Sequence, residues 1–139
     1  MTKIIAMYLP QYHETEDNNK WWGKGFTDWI SVKNSEKLFV GHRQPREPLG
    51  DRYYDLSDVD NIRWQVDLAK KYGVYGFGIY HYWFSSQKQT LTKPAELLLE
   101  NKDINMPFFL AWDNNSWVRT WSKYKHNTNA WSPKADTNS

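Results

Sequence analysis

Apolar residues gather in three short runs along the chain, and two of the stretches between them carry helical spacing. The first run, Lys3 to Leu9, is β-rich and is halted by Pro10, whose ring fixes φ and removes a donor. The second begins at Val74, after a helix-stop glycine at Gly73, and continues uncharged through glycine, aromatic and β-branched residues to Tyr82. Such a run reads as a buried strand, and its two internal glycines leave room for close approach of neighbouring groups. A third strand is expected from Pro107 to Trp112.

Between the strands, Ser57 is placed to cap a helix whose first turn holds Asp58 and Asp60. Val59, Ile62, Val66 and Ala69 recur on one of its faces, and Lys70 and Lys71 suit its C-terminal end. Thr92, with Pro94 in the first turn, starts a further helix through about Glu100. A shorter helix, capped by Thr27 or Asp28, is expected to reach about Lys33. Glu14 to Lys20 reads as a polar, acidic loop, and Gly41, Pro45, Pro48 and Gly50 break any regular element between Leu38 and Asp55. A connection of that length in a small domain is usually a functional loop.

Strands that alternate with single crossover helices imply a parallel sheet with right-handed connections. The architecture is then α/β, either doubly wound or the opening of a (β/α)8 TIM-type barrel, and in both the ligand sits at the carboxyl ends of the strands. No glycine-rich dinucleotide or phosphate-binding loop follows any strand, which favours the barrel. A whole barrel takes eight units and about 250 residues. The expectation is therefore the first three β/α units of an incomplete barrel, spanning residues 1–125, followed by a disordered polar tail at 126–139. Three strands with two crossover helices leave an open apolar edge, so a poorly stable isolated chain is also expected.

Composition sharpens the ligand. Nine Trp, nine Tyr and six Phe occur in 139 residues, far more than a core of this size needs. Indole and phenol rings offer a flat apolar face with a polar edge, the shape that stacks on a sugar ring and bonds its hydroxyls. The net charge of +2 is spread without long runs, so a nucleic-acid partner is not expected. With no cysteine there is neither a disulfide framework nor a thiolate metal site. The start of the chain lacks the features of a signal peptide and no apolar run is long enough to span a bilayer, so a cytoplasmic protein is expected.

All three strand ends carry the same chemistry: Gln11-Tyr12-His13, His81-Tyr82-Trp83 and Trp112-Asp113-Asn114. Glycosidic cleavage calls for two carboxyl groups facing each other across the scissile bond. Among these ends only Asp113 supplies one, with Asp28 and Glu14 as distant loop alternatives. His13, His42 and His81 lack a metal-ligand spacing, and no metal or cofactor is expected.

Several segments resemble one known family. Tyr8-Leu9-Pro10-Gln11-Tyr12-His13, Trp21-Trp22-Gly23-Lys24-Gly25-Phe26-Thr27-Asp28-Trp29, Gly41-His42-Arg43-Gln44-Pro45-Arg46, Tyr54-Asp55-Leu56, the Gly76 to Phe84 run and Trp112-Asp113-Asn114-Asn115-Ser116-Trp117 are similar to successive N-terminal motifs of WbsX-type proteins, relatives of family 99 glycoside hydrolases. The resemblance implies a (β/α)8 barrel acting on glycans of bacterial surface polysaccharide, either as a hydrolase or as a transferase. It also implies a catalytic carboxylate pair in a later motif, and nothing after Trp121 matches that motif. The chain departs from the family's Trp-Ala-Asn-Glu-Asn pattern, with Asp113 in place of Ala and Asn115 in place of Glu.

Strand ends and motifs together nominate Tyr8, Gln11, His13, Trp22, His81, Tyr82, Trp83, Trp112, Asn114, Asn115 and Trp117 as sugar-binding residues, with Asp113 as the sole catalytic candidate. Three functions stay open: the N-terminal segment of a glycan-active enzyme, a carbohydrate-binding module without chemistry, and an inert truncated product. In each case the chain alone is expected to lack glycosidase activity.

Overall fold

A computed structural model of the 139-residue chain describes residues 2–113, 115, 117–118 and 129–131. In order, its elements are β1 (Ile4–Tyr8), α1 (Glu16–Trp22), α2 (Asp28–Lys33), a 3-10 turn (Leu49–Asp51), α3 (Val59–Lys71), β2 (Val74–Ser85), β3 (Lys88–Thr90), α4 (Lys93–Glu100), β4 (Phe108–Trp112), β5 (Trp117–Val118) and β6 (Asn129–Trp131).

The fold is α/β with a parallel sheet, and β2 is its centre. On one side β1 runs parallel to it, with Tyr8 opposite Ile79; on the other β4 does, with Phe77 opposite Phe108 and His81 opposite Trp112. Helices α3 and α4 form the two crossovers, as the apolar spacing predicts. Ile62 and Val66 of α3 and Leu97 and Leu98 of α4 are buried against Phe77 and Ile79, joined by Leu56, Ile104 and Met106. Arg63 of α3 ties down the chain beyond α4 by donating to Asp103.

Strand alternation gives the sheet a second face. Ala6, Tyr8, Phe77 and Phe108 point toward the helices, so Ile5, Met7, Tyr80 and Phe109 point away from them. That face is bare: Ile5, Met7 and Phe109 are 42 %, 55 % and 50 % exposed. Gly78 lies beneath two of these side chains, where a Cβ would come within 2.8 Å of both Met7 Sδ and Phe109 Cζ. At Gly76 a Cβ would meet the Pro107 carbonyl oxygen at 2.5 Å, and that oxygen accepts from Phe77 N at 2.9 Å.

Four local expectations change. Residues 16–22, read as loop, form α1, because Thr15 caps it by accepting from Asn18 N and Glu16 and Asp17 complement its first turn. The cap of α3 is Asp58, which accepts from Asp60 N, whereas Ser57 is held by the Asp55 carboxylate through its amide and its hydroxyl. The central strand runs on to Ser85 and turns back as β3, a hairpin in which Tyr82 faces Thr90 and Trp83 faces Gln89. Within the 126–139 stretch expected to be disordered, residues 129–131 form β6 and pair antiparallel with β5; the rest of that stretch lies outside the described residues.

Candidate functional site

Parallel strands deliver their last residues to one end of the sheet, and there the described strand-end residues meet. Gln11, just beyond β1, donates from Nε2 to the Tyr82 hydroxyl at 2.7 Å. Trp112, at the end of β4, donates from Nε1 to the Trp83 carbonyl at 3.0 Å, and the Asp113 amide donates to the His81 carbonyl at 3.0 Å. His81 and Trp83 stand edge to face, with ring centroids 5.9 Å apart. Two groups thus lie at the same end of the three strands: Gln11 with Tyr82, and, on the opposite face of β2, His81 and Trp83 with Trp112, of which Trp83 and Trp112 are exposed.

Burial tunes the groups in this set. It lowers the His81 pKa, so the imidazole is neutral at neutral pH and can both donate and accept. The Tyr82 hydroxyl is pushed up to about 12, chiefly by burial and against the lowering effect of Gln11, with the charges of Asp113 and Asp28 adding to the rise. Asp28 is itself raised by burial. It opens α2 within electrostatic reach of Tyr12 and Tyr82, so this carboxyl belongs to the neighbourhood more firmly than its loop position in the sequence suggests.

Asp113 is engaged locally. Its Oδ1 accepts from Asn115 N at 3.0 Å and from Asn115 Nδ2 at 2.6 Å, an Asx-type turn that occupies the carboxylate. Asn115 is thus placed beside Asp113. Asn114 and the side chain of Trp117 lie outside the described residues.

The remaining nominated residues lie elsewhere. Tyr8 is on the helix-covered face, stacked on Phe77 with centroids 4.8 Å apart and bonded to Gln65, and burial raises its pKa. Trp22 stacks on Phe26 between α1 and α2. His13 is buried and lines a separate cleft of about 480 Å³ with Asp17, Ser57, Lys88, Thr92 and Glu96 among its walls. Among the described residues its Nδ1 has no hydrogen-bond partner, and burial lowers its pKa against the opposing pull of Asp55, the Pro10 backbone and Glu96.

Lys88 and Asp17 are functional candidates that the sequence did not reveal. Lys88 Nζ donates to both Asp17 oxygens at 2.6 and 2.7 Å, fastening α1 to the β2–β3 hairpin across the His13 cleft. Their signal was the capping pattern after Thr15 and the turn at Ser86 and Gln87, each legible only once the neighbouring element is known. Among the described residues no group of three or more His, Asp and Glu side chains is arranged to hold a metal ion.

In parallel α/β folds ligands bind at the carboxyl ends of the strands, where these rings and hydrogen-bonding groups collect. The comparisons are specific. Residues 4–131 match the family described as Glycosyltransferase WbsX, and the chain belongs to that family. Two relatives named "Uncharacterized protein WxcX", from Xanthomonas campestris pv. campestris strains B100 and ATCC 33913, are each 42 % identical over 123 residues. That alignment covers 88 % of this chain but 18 % of each relative, so the chain spans less than a fifth of the length of the curated relatives it matches. No solved structure matches the chain.

Proposed function

We propose that the chain supplies the sugar-recognising strand ends of a glycan-active enzyme in bacterial cell-surface polysaccharide biosynthesis, acting in the cytoplasm. The observation that carries this reading is the grouping of His81, Trp83 and Trp112, with Gln11–Tyr82 at the same strand ends, which sets exposed indoles beside a neutral imidazole. Stacking and hydroxyl recognition need both. Asn114, Asn115 and Trp117 are proposed as outlying members of the same surface, and His13 as a sugar contact within its own cleft.

In this reading residues 1–125 are the first three units of a (β/α)8 barrel, β6 returns from the 126–139 stretch to pair with β5, and further strands supply the acid/base pair. The bare face carrying Ile5, Met7 and Phe109 supports it, since such a face lines the interior of a closed barrel. The Asx turn around Asp113 favours a second reading, a carbohydrate-binding module without chemistry, because its carboxylate is already engaged.

Titration with bacterial O-antigen oligosaccharides, followed by calorimetry, tests the proposal. His81→Ala or Trp83→Ala is expected to weaken binding by about tenfold, the equivalent of ~1.4 kcal/mol, while Lys102→Ala leaves it unchanged. Equal affinity in all three variants, or hydrolysis by this chain that Asp113→Asn abolishes, would sink the division of labour.

A further inference from the structure

The connection between α2 and α3 presents a surface of a different kind. Leu38, Phe39 and Val40 are 80 %, 65 % and 103 % exposed, and Leu49 further along is 98 % exposed. Single exposed apolar residues are ordinary, but three in succession at one tip mark a contact site.

The tip is a shaped turn. His42 N donates to the Phe39 carbonyl at 3.1 Å, Leu38 N donates to His42 Nδ1 at 3.1 Å, and the imidazole stacks on the Phe39 ring at 4.5 Å. Gly41, with φ of 84°, supplies the left-handed step that closes it. A turn ordered beforehand loses little further entropy when it docks.

Between residues 33 and 47 stand four cations, Lys33, Lys37, Arg43 and Arg46, against the two carboxylates Glu36 and Glu47. Lys37 directly precedes the tip in the chain and Arg43 and Arg46 follow it, with Glu36 and Glu47 exposed beside them. Lys37, Arg43 and Arg46 are themselves exposed.

We propose that the Leu38–Val40 turn is a membrane-surface contact, seating its apolar side chains at the headgroup boundary of an anionic bilayer while Lys37, Arg43 and Arg46 meet the lipid phosphates. Apolar insertion beside a cationic collar is how interfacial segments hold such a surface. At a protein groove these cations would sit on the solvated rim, where they act on association rate more than on affinity, whereas an anionic bilayer attracts each cation held near its surface. No helix among the described residues is long and apolar enough to cross a membrane, so this is peripheral attachment. It goes beyond the sugar-binding reading and does not depend on it.

The chain has no cysteine, so Val40→Cys creates a single site for a polarity-sensitive fluorophore. The expected result is a blue shift on phosphatidylcholine vesicles containing about one-third phosphatidylglycerol, largely reversed by about 0.5 M salt and absent for a label at Lys102→Cys. Adding Leu38→Ser and Phe39→Ser should weaken vesicle binding by about tenfold or more, each apolar side chain contributing through its buried area. An unshifted Val40 label overturns the proposal. So does a shift that grows with protein concentration in the absence of lipid, which would mean a second copy, or binding removed by Met7→Ser with Phe109→Ser on the bare sheet face instead.

Discussion

The two faces of the sheet are made of similar side chains and have opposite fates. On one, Phe77 and Ile79 of β2 are sealed beneath α3 and α4; on the other, Ile5 and Met7 of β1 and Phe109 of β4 are half exposed although they belong to the same sheet. Alternation writes an apolar surface on both sides of a parallel strand, but only a neighbour turns a surface into a core. The stability of the described fold therefore rests on one face; both glycines of β2 lie on the bare one, where Gly76 abuts backbone and Gly78 abuts side-chain ends.

The largest contrast is expected from truncation on each face. Ile79→Ala should cost about 3–4 kcal/mol as transfer and cavity terms add, whereas Met7→Ala should stay within about 0.5 kcal/mol, as exposed sites do. Urea denaturation of the two variants measures both, and equal losses would mean that the second face is covered after all. Next comes Gly76→Ala, expected to cost about 2 kcal/mol because the Pro107 carbonyl cannot retreat without losing its bond to Phe77, against less than about 1 kcal/mol for Gly78→Ala. Lys88→Met should follow at about 1–2 kcal/mol, since it leaves the largely buried Asp17 carboxylate without its cation.

A smaller effect is expected from pH. Burial lowers the pKa of His13 and His81 from the ordinary 6.5, so the unfolded chain takes up protons at those sites before the folded chain does. Their contribution to stability is whole above 6.5 and is lost as pH falls through the lowered folded values. Asp28, raised from 3.8, acts in the opposite sense in its own lower window. Melting temperature should therefore decline as the solution is acidified from neutrality, and His13→Gln should flatten that decline.

Much of this was legible in the sequence. The three parallel strands, both crossover helices and the irregular 38–55 connection follow from apolar periodicity, proline and glycine. What escaped depends on partners distant in the chain. Helix α1 hides in a polar segment of seven residues, too short to show a period, and is held at its first turn by the Thr15 cap and by Lys88 of β3, which bonds Asp17. The aromatic excess was read as ligand chemistry, yet Tyr12, Trp29, Tyr54 and Trp64 pack into one ring cluster, with Trp29 and Tyr54 at 5.0 Å and Trp29 Nε1 bonded to the Tyr54 carbonyl. Composition counts indoles but cannot say which ones face one another. Tyr8 escaped for the same reason: strand parity places it under the sheet, where Gln65 takes its hydroxyl.

Indole resonances offer the most direct test of sugar recognition at the strand ends. Each tryptophan Nε1–H gives its own signal in a nitrogen–proton correlation spectrum, assignable by single Trp→Phe variants. Addition of an O-antigen oligosaccharide should move the Trp83 and Trp112 signals and leave those of Trp29 and Trp64 in place. Movement confined to Trp29 and Trp64, or no movement with sugar in large excess, would contradict the assignment of the site.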